Sequence, residues 1–116
     1  MNWVRVAGVC MALSVAVGAF GAHALKGRLE PEAMEVYRIA GMYLTIYGLA
    51  LFVVAWRLSG GDHLLAERAG WAFLAGIVLF CGSLFSLAFS GPRWLGAVTP
   101  LGGLCFIAGW LIIAFS

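Results

Sequence analysis

Few side chains in this sequence carry chemistry. The candidates are His23, the tyrosines Tyr43 and Tyr47 with Thr45 between them, the carboxylates Glu30, Glu32 and Glu35, and the thiols Cys10, Cys81 and Cys105. A histidine beside carboxylates can hold a metal ion or relay a proton. Glu32 and Glu35 lie three apart, so a helix would set them on one face. Lys26, Arg28, Arg38 and Arg93 fall on the same side of the chain. A solvated helix start with exposed ion pairs, worth about 0–1 kcal/mol each, is the commoner use of such a cluster. The cysteines form no C-x-x-C pair, which argues against a thiol-disulfide enzyme. Buried cysteine usually behaves as a small hydrophobe. No phosphate-binding loop, dinucleotide fingerprint, nucleophile elbow or H-E-x-x-H motif occurs. No catalytic residue and no metal site is assigned.

The elements that must position these groups follow from composition. Of the 116 residues, 64% are hydrophobic and 10% charged, and the mean hydropathy is +1.03. A soluble domain carries about 25% charged residues, so no water-facing surface can be built from this chain. Disorder needs the opposite composition. A net charge of +2 is too small and too scattered for a nucleic-acid partner. The bilayer is the partner that composition implies. Charge-free runs extend from Val6 to Leu25, Ile39 to Trp56, Ala69 to Phe89 and Trp94 to Ser116. Each meets the roughly 17–25 residues that a hydrocarbon core of about 30 Å requires. Val78-Leu79-Phe80 and Leu111-Ile112-Ile113-Ala114-Phe115 are apolar on every side, which a barrel strand would not be.

The expected fold is an all-α membrane protein. Four transmembrane helices, at about 4–25, 37–57, 68–90 and 97–115, form a compact up-down bundle with short loops in a single domain, 1–116. Arg5, the first apolar run and Ala22-His23-Ala24 also carry the pattern of a cleavable secretory signal; the segment is read as a permanent span. Glu30-Pro31-Glu32 marks the start of helix 2, outside the hydrocarbon. Asp62 is the expected N-cap of helix 3. Gly91-Pro92 should end helix 3 and Thr99-Pro100 should cap helix 4, with Trp94 at headgroup level. The first and third loops carry Lys26, Arg28, Arg38 and Arg93, against Arg5, Arg57 and Arg68 on the other side, so the positive-inside rule gives no orientation.

Small residues mark faces for close helix approach, which matters because apolar burial alone drives little association in lipid. Ser14, Gly18 and Ala22 share a face of helix 1, and Gly82, Ser86 and Ser90 share one of helix 3. Gly41 and Gly48 lie seven apart in helix 2, as do Gly102 and Gly109 in helix 4. Packing within the bundle is the first use expected of these faces, and on that reading Gly82→Leu should disrupt it. A partner interface is the second use.

At about 26 Å along helix 1, His23 falls near the far interface. There it serves as a helix-end cap, or as a ligand, relay or headgroup contact. Haem between helices would want His or Met on facing helices; Met11 and Met42 have no evident partners. Helices 2 and 3 carry no acid or base within their charge-free runs, which weakens a transporter. Tyr43 and Tyr47 share a face and need hydroxyl partners. Facing inward they would bond backbone or Ser83, Ser86 and Thr99; facing outward they would meet a lipid, quinone or pigment.

Three ordered motifs carry a resemblance over essentially the whole chain. They are Gly18-Ala19-Phe20-Gly21-Ala22-His23, then Leu79-Phe80-Cys81-Gly82-Ser83-Leu84-Phe85-Ser86-Leu87-Ala88, and Val98-Thr99-Pro100-Leu101-Gly102-Gly103 leading into Ala108-Gly109-Trp110. With them the chain resembles the domain of unknown function 423 family, which includes transmembrane protein 256. The resemblance implies a small four-helix membrane protein without an established activity. It also implies a Tyr and a His four apart in helix 2. Those positions here are Tyr43 and Tyr47, so a role tied to that His does not carry over. The expected function is non-enzymatic: an accessory or scaffolding subunit whose partners are other integral membrane subunits. A stand-alone binder of a lipid, quinone or pigment near Tyr43, Tyr47 and His23 is the alternative, and a small transporter or interfacial enzyme the weaker one. The expected compartment is the bacterial inner membrane, with a mitochondrial membrane as runner-up.

Overall fold

The computed structural model describes residues 1–61 and 63–116. Asp62, the expected cap of the third helix, lies outside the described residues. Among the described residues, four helical stretches are long and apolar enough to cross a membrane: α1 (Trp3–Leu25), α2 (Pro31–Ser59), α3 (Leu64–Ala88) and Arg93–Ala114, in which a 3₁₀ turn at Arg93–Ala97 leads into α4 (Thr99–Ala114). Among the described residues there is no strand.

Local chemistry explains most of the ends. The Asn2 side chain accepts a hydrogen bond from the Arg5 amide and opens α1. Pro31 occupies the first turn of α2, where its missing N–H costs nothing. Gly27 and Gly61 take positive φ in the first and second loops. The end of α3 is a Schellman cap, in which the Gly91 amide donates to the Ser86 carbonyl and the Ser90 amide to that of Leu87. The left-handed position there belongs to Ser90, at φ 66°. Thr99 does not cap α4: the N-cap position is Val98, which makes no side-chain capping bond. The Thr99 hydroxyl instead pairs with Ser83 of α3 and donates to the Leu95 carbonyl.

In the bundle α1 packs along α2, α4 packs along α3, and α2 and α3 meet between them. Phe73, Leu51 and Val54 are fully buried at the centre, joined by Tyr47, Ile77 and Phe106. Two clasps bind one end of the molecule. The Trp3 indole donates to the Glu67 carboxylate at 2.7 Å, and the Arg57 guanidinium donates to the Ser116 hydroxyl at 3.0 Å. Two helices carry π-helical turns, Ala16–Gly21 in α1 and Ile77–Cys81 in α3. Phe80, inside the second of these turns, is the residue whose backbone meets Gly102 of α4.

Candidate functional site

The π turn of α1 and the outer half of α2 enclose a lipid-side groove of about 290 Å³. Ser14, Val17, Gly18 and Ala22 line it from α1, and Tyr37, Arg38, Gly41, Met42 and Thr45 from α2. Wide turns of this kind occur often at functional sites. Here the Val17 carbonyl accepts both the Ala22 amide, five residues on, and the Tyr37 hydroxyl at 2.6 Å. Gly21 is what lets the phenol in, since a Cβ at that position would collide with the Tyr37 hydroxyl oxygen. Tyr37 is thereby buried and braced edge-on by Phe85 of α3 and by Phe89 just beyond its end. Ser14 and Thr45 satisfy their hydroxyls on their own helices, at Met11 and Gly41. Arg38 is exposed at the groove's outer end.

Tyr43 and Tyr47 turn inward, into an aromatic column. Their rings stack on each other at 6.1 Å, and Tyr47 stacks on Phe106 of α4 at 3.5 Å between centroids. Phe80 and Phe73 of α3 close the column from the side. The Tyr47 hydroxyl accepts the Trp110 indole N–H at 3.0 Å. Its partner is therefore not among the hydroxyls expected from the sequence. Ser83 and Thr99 are engaged with each other, and Ser86 is exposed.

The small residues divide by helix. On α2 and α4 they sit at contacts. A Cβ on Gly48 would press on Met11, one on Gly109 on the Phe73 ring, and one on Gly102 on the Phe80 backbone; Gly41 lies against Val17. On α1, Ser14 is buried and Ala22 half-buried, but Gly18 faces open space. Gly82 and Ser86 on α3, and Ser90 in the cap that ends it, are all exposed, and a Cβ on Gly82 would meet nothing within 4 Å. This overturns the expectation that Gly82→Leu breaks the bundle. α3 faces its neighbours with Gly70 against Trp3 and Gly76 against Phe106 instead.

His23 is exposed in the last turn of α1, where its carbonyl, rather than its ring, accepts the Lys26 amide. Glu30, Glu32 and Glu35 are exposed too, Cys10 and Cys81 are buried and Cys105 is partly so. Among the described residues, no three His, Cys, Asp or Glu side chains converge where they could hold a metal ion. Sequence reasoning missed Tyr37, Gly21 and the Trp3–Glu67 clasp. Each joins distant parts of the chain, and none belongs to a repeat along one helix.

Residues 17–103 match the family described as protein of unknown function (DUF423). The chain belongs to this family. It is 42% identical over 114 residues to a UPF0382 membrane protein of Staphylococcus haemolyticus, covering 98% of this chain and 93% of the relative. It is 44% identical over 107 residues to the UPF0382 membrane protein YwdK of Bacillus subtilis, covering 90% and 85%. No solved structure matches. The relatives are bacterial membrane proteins, and four apolar spanning helices make this member an integral protein of the bacterial inner membrane.

Proposed function

We propose that this protein is a non-enzymatic accessory subunit that docks onto another membrane protein through the outer face of α3. One observation carries the reading: Gly82 and Ser86, one turn apart, lie exposed on the lipid side with open space above Gly82. In lipid, helices associate by close van der Waals approach, which small residues permit. The inner contacts of the bundle already use Gly48, Gly76, Gly102 and Gly109, so the α3 face is left for something outside.

A lipophile beside Tyr43, Tyr47 and His23 has less support. Tyr47 is stacked in the core, while His23 is exposed at the end of α1. Neither tyrosine lines the α1–α2 groove, and at about 290 Å³ that groove lies at the small end of the roughly 300–1,000 Å³ range of ligand pockets. A whole quinone or pigment would not be enclosed. A transporter or interfacial enzyme at His23 would need convergent polar groups around the imidazole.

The test is co-purification of a tagged full-length chain in mild detergent. Wild type should retain a membrane partner in fixed ratio. Gly82→Leu should lose that partner with its melting temperature unchanged, because the leucine meets no neighbour. Retention of the partner by Gly82→Leu in the same ratio would reject the α3 face as the dock.

A further inference from the structure

We propose that the α1–α2 groove seats an anionic phospholipid of the surrounding bilayer, its phosphate on Arg38 and one acyl chain over Gly18 and Gly41. The inference concerns a different face from the proposed α3 dock and does not depend on it.

Depth and polarity carry the argument. At 1.5 Å per residue the 29 residues of α2 span about 43 Å, well over a hydrocarbon core of about 30 Å. Its first two turns, ending at Arg38, therefore reach the headgroup layer. Arg38 directly precedes the charge-free run from Ile39 to Trp56. Of the residues lining the groove it alone is charged. From Arg38 to Thr45 the groove descends about 10 Å, or some two-thirds of one leaflet's hydrocarbon depth. That matches the upper part of a single acyl chain.

The lower groove is shaped for such a chain. A Cβ on Gly18 would meet nothing within 4 Å, and one on Gly41 would make ordinary contact with Val17 at 3.5 Å. The other polar groups there are satisfied within the protein: Tyr37 donates to Val17, Ser14 to Met11 and Thr45 to Gly41. No side-chain hydrogen bond formed among the described residues uses the Arg38 guanidinium. Glu35, one turn earlier on α2, is exposed and does not line the groove. A cation at headgroup depth above an apolar trough complements a phosphate with an acyl tail; basic pockets between membrane helices bind anionic headgroups for this reason.

The test is native mass spectrometry of the detergent-purified chain mixed with equal amounts of phosphatidylglycerol and phosphatidylcholine bearing the same acyl chains. Phosphatidylglycerol should be retained in preference. Arg38→Gln should cut that preference about fivefold, the factor expected for one basic residue at a bilayer surface, and Arg38→Lys should restore most of it. Arg28→Gln, outside the groove, should change nothing. Gly18→Leu should remove retention of both lipids with helical circular dichroism unchanged. Equal retention of the two lipids by wild type would overturn the proposal. So would equal losses from Arg28→Gln and Arg38→Gln, or binding of glycerol phosphate as tight as that of the lipid. A lipid-free dimer dissociated by Gly18→Leu would assign the groove to a second copy instead, and would overturn it too.

Discussion

A glycine in this protein has a consequence set by what stands opposite it. Gly102 of α4 faces the backbone of Phe80, which has no rotamer with which to yield. Gly102→Ala should therefore destabilise the protein by about 1–3 kcal/mol, the usual cost of overpacking a tight contact. Thermal unfolding in detergent would show it as a clear fall in melting temperature, and an unchanged value would mean that α3 and α4 are not so close. The spacing of Gly102 and Gly109 was legible in the sequence, and so was that of Gly41 and Gly48. What spacing could not say is which way each stripe points. Gly82 shares a stripe with Ser86 and Ser90 as regular as any, yet the α3 glycines at internal contacts are Gly70 and Gly76. Tyr37 carries no sequence signal for a related reason. Its importance comes from Gly21 and from a carbonyl that a π turn shares between Ala22 and the Tyr37 hydroxyl, and neither leaves a mark in local periodicity.

At the scale of elements, the number of helices followed directly from the charge-free runs, because only spans of about 20 apolar residues suit the bilayer. Their ends depend on individual hydrogen bonds. The Glu30-Pro31 start of α2 was readable, since proline in the first turn has a plain physical meaning. Thr99 departs from the capping expected of it because a hydroxyl at a helix start can cap or reach sideways, and here Ser83 lies within reach. Gly91 ends α3 as its sequence implies, and its part is specific: a Cβ there would press on the Ser86 carbonyl to which its own amide is bonded. Ser90 beside it holds φ at 66°, a region that favours glycine. Ser90→Gly should stabilise the protein by about 0.5–1 kcal/mol, the relief of that strain less the added freedom of the unfolded chain. A raised melting temperature would bear this out. A lowered one would mean that the Ser90 side chain contributes more than its backbone costs.

For the molecule as a whole, a membrane protein was legible from composition alone, because a chain with 10% charged residues cannot cover itself with a water-facing surface; the four helices and short loops were legible from where those charges fall. The arrangement of the helices was not. It rests on contacts between distant residues, such as Trp3 with Glu67 and Tyr47 with Trp110. The result is a bundle 48 × 28 × 19 Å in extent, closed inside by aromatic rings and carrying two different outer features, a small-residue face on α3 and a groove topped by Arg38. Whether the α3 face sits against another membrane protein is read from the mass of the native particle that the wild-type chain forms after gentle extraction. A docked α3 face gives a particle well above the mass of a few 12.3 kDa chains, with a second integral membrane protein in fixed ratio. A particle holding only one or a few copies of this chain would contradict it.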